Sequence, residues 1–226
     1  MGIKGKAENR MKSFVSWSSG KESALALYRM QKKTQVSCLL NMVSEDKKRA
    51  RSHGIEVELI KTQSEALGLP LILKTSTWAN YEAVFKKTLI ELKSKGINSG
   101  IFGDIDMPAY KNWVKKVCAY AGIKAYLPLW QEPRKVLMDE FIRLGFKAIV
   151  ICVKTEYLNK NWLGRVIDKE FIKKLKTLRN VDLCGENGEY HTFVYDGPIF
   201  KKPVEFVKNK IINKKEHLFL ELNKKN

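Results

Sequence analysis

A chain of 226 residues, 44% hydrophobic and 29% charged, has ordinary globular composition and length enough for one domain with a smaller appendage. Its longest apolar runs, such as Ala148–Val153, fall far short of the roughly 20 residues of a membrane span, and no apolar signal segment opens it, so neither a membrane partner nor export is expected. The net charge of +18 would suit nucleic acid, but 34 of the 42 cations are lysines spread over every surface segment without interleaved aromatics, which reads as a solvated basic surface.

Residues 1–12 read as a disordered leader. Phe14-Val15 marks a strand over Ser13–Trp17. It runs into the small-residue turn Ser16-Trp17-Ser18-Ser19-Gly20-Lys21-Glu22-Ser23 and then a helix over Lys21–Lys32. Such a strand, turn and helix form an anion cradle, because turn N–H groups and the positive helix end face one point. A strand at Val36–Met42 and a helix at His53–Leu67 follow, with Ile55, Leu59, Thr62 and Ala66 on one helical face. Further strands fall at Leu69–Leu73, Gly100–Gly103, Lys124–Leu129 and Lys147–Val153, alternating with helices at Asn80–Lys95, Pro108–Ala121 and Pro133–Leu144. Gly68, Gly96, Gly122 and Gly145 each follow a helix, where a left-handed residue is wanted. The alternation predicts an α/β fold with a doubly wound, mostly parallel sheet.

After Val153 the pattern changes. Asn159–Gly164 is polar and aromatic, and Asp168–Leu178 reads as a short helix. A Gly-rich loop, Cys184–Thr192, leads into Phe193-Val194-Tyr195 and the turn Asp196-Gly197-Pro198. Two strands near Val204–Val207 and His217–Leu222 close the chain. The division expected is a nucleotide-binding domain over 13–130 and a smaller α+β substrate-recognition region with a basic tail over 131–226. Cys38, Cys118, Cys152 and Cys184 are scattered without a C-x-x-C, which suits structural thiols in a reducing, cytoplasmic setting rather than a zinc site.

Three segments carry chemistry. The turn is not a Walker A motif, since only Gly20 is present and Glu22 separates Lys21 from Ser23. In Gly103-Asp104-Ile105-Asp106, just past a strand, Asp104 is placed to hold Mg²⁺ or orient substrate, and Asp106 to cap the next helix. Glu186-Asn187-Gly188-Glu189, with His191 and Thr192, sets several polar groups in a glycine-freed loop and suits substrate recognition.

The turn resembles S-G-G-K-D-S, the pyrophosphate loop of the N-type ATP pyrophosphatases (the PP-loop superfamily, with its adenine nucleotide α-hydrolase-like fold). Ser19 here replaces a glycine and Glu22 an aspartate. In one order with it stand His53–Glu56, Glu65–Pro70, Gly103–Asp106, Pro128-Leu129-Trp130, Trp162-Leu163-Gly164-Arg165, Cys184–Thr192 and Asp196-Gly197-Pro198. Together, from about Ser13 to Phe200, they resemble the diphthine–ammonia ligase family.

That resemblance implies an ATP-dependent ligase. The carboxylate of diphthine, a modified histidine on elongation factor 2, would attack the α-phosphate of ATP, and ammonia would then displace AMP. Ser16, Ser18, Ser19, Gly20, Lys21, Ser23 and Gly103 would hold ATP. Lys21 and Asp104 would be catalytic, with Asp104 on Mg²⁺. Glu186, Asn187, Gly188, Glu189, His191, Thr192, Arg165 and Trp162 would meet the substrate. A cage for its trimethylammonium group is expected from Glu186 and Glu189 with a ring of Tyr190, Phe193 or Trp162. Expected partners are ATP, ammonium and elongation factor 2 where the host has it, and a homodimer is allowed. Two alternatives stand beside this reading: a PP-loop RNA-modifying enzyme such as a tRNA thiolase, suited to the charge, and a non-catalytic nucleotide-binding domain, suited to the two departures in the turn.

Overall fold

The computed structural model describes residues 10–51 and 53–225. Most of the expected leader, residues 1–9, lies outside them. The first half builds a five-stranded parallel sheet from β1 (Lys12–Ser16), β2 (Gln35–Val43), β3 (Leu71–Thr75), β4 (Ser99–Ile101) and β5 (Lys124–Tyr126), in the order β3-β2-β1-β4-β5. The helices between them are α1 (Lys21–Met30), α2 (Val57–Leu67), α3 (Tyr81–Ser94) and α4 (Pro108–Tyr120). Strand order reverses between β1 and β4, and open α/β sheets bind ligands at such a point, beyond the carboxyl ends of the strands.

The strands are apolar on both faces because both are covered. Phe14, Cys38 and Leu40 pack with Phe85, Leu89, Val114 and Val117 of α3 and α4. Val15, Leu39 and Ile101 face the larger core, which takes in α1, α2 and α5 (Arg134–Arg143). Seven of the ten α1 residues are buried, as suits a helix enclosed on nearly every side.

That larger core continues into a second, four-stranded sheet of order β7-β6-β9-β8. Its strands are β6 (Lys147–Lys154), β7 (Tyr190–Asp196), β8 (Phe206–Lys214) and β9 (His217–Lys224), with α6 (Lys169–Leu175) between β6 and β7. β6 pairs antiparallel with both β7 and β9. This corrects its grouping with the parallel strands: a run buried on both faces reads alike in either kind of sheet. β8 also runs well past the expected Val204–Val207.

The four glycines after helices all take positive φ, from 62° to 79°. The start of α2 differs from expectation. Gly54 takes φ 67°, its N–H donates to Ala50 O, and the helix begins only at Val57. His53 therefore sits in a loop and not on the helix. All four cysteines are buried and unpaired, and among the described residues no helix is long and apolar enough to cross a membrane.

Candidate functional site

The turn Ser18–Lys21 joins β1 to α1 at the switch point, and its shape is fixed from three sides. Gln63 of α2, fully buried, accepts from Trp17 Nε1 at 2.9 Å and donates to Ser19 O at 3.3 Å and Val194 O at 2.6 Å. Val194 N on β7 donates to Ser19 O at 3.0 Å. Thr192 Oγ1 accepts from Lys21 N at 3.1 Å, so Thr192 satisfies a free N–H of the first turn of α1. Inside the turn, Ser18 Oγ donates to Ser23 Oγ and accepts from Gly20 N, while Ser23 Oγ donates to Gly20 O. Gly103 is a glycine for space: a Cβ there would lie 2.9 Å from the Glu22 carbonyl carbon. The end of β4 can thus approach the start of α1.

Ser19 has φ 72° and is fully buried, with its hydroxyl unpartnered. A glycine costs nothing at such a φ, whereas a Cβ does. Ser19→Gly is expected to stabilise the protein by about 1 kcal/mol, raising Tm by roughly 2–4 °C in a thermal melt. An unchanged or lowered Tm would mean that the serine is not strained.

Lys21 does not reach out over the turn. It is 4% exposed, and its Nζ donates to Cys184 O at 2.5 Å, pairs with Glu22 at 2.5 Å and lies 4.8 Å from the centre of the Tyr190 ring. Burial alone would lower its pKa. Glu22, Tyr190 and Cys184 outweigh burial and hold it above the ordinary lysine value.

Two cavities open here. One, of about 720 Å³, is lined by Ser16 and Ser18 at the end of β1, Asn41 and Met42 at the end of β2, and Asp104 beyond β4. Trp78, Tyr81 and Trp113 form its aromatic outer wall, with Trp78 and Tyr81 stacked at 5.9 Å and Trp113 tilted at 47° to Tyr81 at 5.8 Å. The other, of about 390 Å³, is lined by Lys21, Glu22, Glu186, Asn187 and Gly188. His53, Tyr110 and His191 line both. The two histidine rings stack at 4.5 Å and 22°. Burial, then the Lys21 and His217 charges, push the pKa of His191 down to about 4.

Asp104 is partly buried, and burial raises its carboxyl pKa. Asp106 is not a cap. Met107 occupies that position without a side-chain bond, and the Asp106 carboxylate is held by Arg134 at 2.8 Å, which also grips Asp182. A partner 28 residues away outcompetes the local cap. Among the described residues no three His, Cys, Asp or Glu side chains cluster to hold a metal. A Mg²⁺ ion needs only one or two carboxylates plus substrate phosphates, and Asp104, a carboxylate on the wall of the larger cavity, fits that limited part.

The loop residues divide sharply. Glu186 faces the smaller cavity, where burial, then Glu22, push its pKa up to about 8, against the pull of Lys21, with Asp182 and Asp106 adding like charge. The unfolded chain ionises near 4.5, so between about 4.5 and 8 the native state binds the extra proton and stability falls as pH rises. Glu186→Gln is expected to flatten that slope in denaturant midpoints measured from pH 5 to 8. A slope retained in the variant would assign it to another group.

Glu189 is fully buried and lines neither cavity. Its carboxylate accepts from Asp182 N at 2.8 Å, Asn187 N at 3.0 Å and Asn187 Nδ2 at 3.2 Å. Of the groups expected in an ammonium cage, Glu186 and Tyr190 line the smaller cavity, whereas Glu189, Phe193 and Trp162 do not. Phe193 is fully buried in the core, Tyr190 faces Lys21, and Trp162 packs edge-on against Phe171 at 5.4 Å. Arg165 lies over Trp162 at 4.8 Å, and these two residues line neither cavity. Sequence reasoning placed His53 in a matching segment but gave no site role to it, to Gln63 or to the aromatic wall. The i, i+3 pair Trp78 and Tyr81, at the start of a helix beyond a strand, was the available signal.

Comparison with known proteins agrees with this architecture. Residues 11–125 match the family model of the diphthamide synthase N-terminal domain, and residues 132–226 that of the diphthamide synthase C-terminal domain. A Schizosaccharomyces pombe protein named diphthine–ammonia ligase is 33% identical over 101 residues, 44% of this chain and 17% of its own length. The Bos taurus protein of that name is 34% identical over 94 residues, 40% of this chain and 35% of its own, and the Danio rerio one 28% over 162 residues, 62% of each. The chain thus spans less than two thirds of the length of these relatives. A solved structure described as a predicted subunit of tRNA methyltransferase from Methanocaldococcus jannaschii aligns over 86% of this chain and all of its own at 18% identity and a TM-score of 0.45, too loose a likeness to bear on function. With both family models matched in order across the phosphate turn and the Cys184–Thr192 loop, the chain belongs to the diphthamide synthase family.

Proposed function

We propose that this chain is an ATP-dependent, AMP- and pyrophosphate-forming amide ligase that converts the carboxylate of diphthine on elongation factor 2 into an amide with ammonium. The observation that carries this reading is the union of the two motifs at Lys21. Its N–H is held by Thr192 and its Nζ by Cys184 O, so the anion-binding turn and the family's loop form one wall between two cavities. The names of the relatives support the same activity.

On this reading the nucleotide occupies the 720 Å³ cavity, with its base against the aromatic wall and its phosphates toward the turn. Ser16, Ser18, Gly20, Ser23 and the remaining N–H groups of α1 take the phosphates, with Gly103 letting the end of β4 close on the start of α1 behind them. Ser19 contributes its backbone, since its hydroxyl is enclosed. Lys21 supplies fixed positive charge beside the point of transfer. A Mg²⁺ ion held by Asp104 and the phosphates would offset triphosphate charge. The acceptor enters the 390 Å³ cavity past Glu186, Asn187 and Gly188, so that its carboxylate meets the α-phosphate near His191. Its oxygen attacks phosphorus, pyrophosphate leaves, ammonia attacks the acyl carbon, and AMP leaves as the amide forms with loss of one proton. Glu189, Trp162 and Arg165 build this site without touching the acceptor, while Thr192 lines the acceptor cavity as it holds the Lys21 N–H. Residues 13–130 thus carry the nucleotide and 131–226 the acceptor, in the cytoplasm where elongation factor 2 works.

The test is pyrophosphate release by the purified chain with ATP and Mg²⁺, with and without ammonium and elongation factor 2 bearing diphthine. Release accompanied by amide formation on the factor only when all components are present is the expected result. Release driven by RNA and indifferent to the factor would overturn it, and so would ATP binding without turnover in the complete mixture.

A further inference from the structure

We infer that His53, which lies in a loop outside the phosphate turn, is a direct ligand of the nucleotide phosphates, donating from Nδ1. The inference rests on the nucleotide reading above and adds a residue that the turn motif does not contain.

Four observations meet at this side chain. First, its ring edge lies against the turn: a Cβ on Gly20 would sit 2.8 Å from His53 Cε1 and 3.3 Å from Nδ1. The imidazole thus occupies space that only a glycine leaves free. Second, His53 Nδ1 is enclosed by protein and has no hydrogen-bond partner among the described residues. Enclosed polar atoms are nearly always satisfied, and an orphan beside an anion cradle is accounted for by the anion. Third, the ring is held in place by its stack on His191 and lines both cavities, so it stands where a phosphate chain would pass from one to the other. Fourth, Gly54 with φ 67° ends the preceding turn and delays α2 to Val57, and this brings position 53 over the cradle. Burial, then His191 and Lys21, keep the imidazole uncharged, so one ring nitrogen of His53 carries a proton and the other a lone pair. A proton at Nδ1 makes that atom a donor to a phosphate oxygen.

The experiment measures binding of α,β-methylene ATP, which cannot be split at the α–β linkage, by titration calorimetry to the full chain and three variants, each checked by thermal melt. His53→Asn places an amide N–H where Nδ1 stands. His53→Phe keeps the ring and its stack but has no donor. His53→Gln puts its amide at the Nε2 position. A hydrogen bond to a charged phosphate predicts affinity within about threefold of the parent for Asn, and at least about tenfold weaker for Phe and Gln. A purely packing role predicts the reverse order, with Phe closest to the parent and Asn worst, and that result overturns the assignment. Equal binding by all four proteins does so too. If the parent chain itself binds no α,β-methylene ATP, the nucleotide reading fails and this inference with it, an outcome distinct from either.

Discussion

Replacing Lys21 by methionine is expected to cut pyrophosphate release by about 10²- to 10³-fold, the usual cost of removing one preorganised charge or donor from a transition state. Methionine keeps most of the volume against Tyr190 and removes only the ammonium group. That group is fixed by Cys184 O and Glu22 before any substrate arrives, so it needs no rearrangement when charge builds on the leaving phosphates. Its raised pKa means that it is charged throughout the working range. The stability it contributes is present below the unfolded lysine pKa of about 10.4 and is lost only as pH rises through the higher folded value. No change of pH between 5 and 9 should therefore mimic or rescue the variant. The measurement is initial rate with saturating ATP, alongside a melt to show that the protein is folded. Pyrophosphate release at the parent rate would remove the turn from the reaction.

The second large effect is expected at Glu189, and it is one of folding. Read as a loop carboxylate, Glu189 invites the expectation that Glu189→Gln weakens acceptor binding alone. The structure replaces that expectation, because three N–H donors converge on a carboxylate with no exposure. A glutamine presents one oxygen and one N–H₂ to those donors, and the N–H₂ faces an N–H it cannot accept from. Losing charge-assisted bonds of this kind costs about 3 kcal/mol. For a chain of this size that is roughly 6–12 °C in Tm. The loop also bears Glu186 and the carbonyl that holds Lys21, so ATP and acceptor affinities should fall together. A variant with parent stability and a selective loss of acceptor binding would return Glu189 to the binding surface.

Local signals were legible in the sequence and distant ones were not. Phe14-Val15, the serine-rich turn and Ala24–Leu27 announce β1 and α1 within one short window, and the structure has them within two residues. Glycines after helices are equally local. The Asp106 pairing depends on Arg134, and the role of Thr192 depends on an N–H 171 residues away. Neither partner is visible from composition or spacing. Glu189 was misread because an acidic residue in a polar loop resembles a solvated one until its own loop folds around it. Cys184–Thr192 reads as one loop in the sequence, whereas β7 already begins at Tyr190, and the division of its residues between cavity lining and internal support emerged only from burial. Within the phosphate turn, the replacement of a glycine by Ser19 was legible as a departure, and the positive φ shows what that departure costs.

The Ser19 carbonyl, gripped from β7 by Val194 and from α2 by Gln63, has a consequence for biosynthesis. The nascent chain completes its whole parallel sheet before Thr192 and Val194 leave the ribosome. Until then the cradle lacks the strand that sets its curvature, and the long span separating the two ends slows their meeting. The half of the molecule made first should therefore emerge unable to grip a nucleotide, and competence should arrive late and all at once.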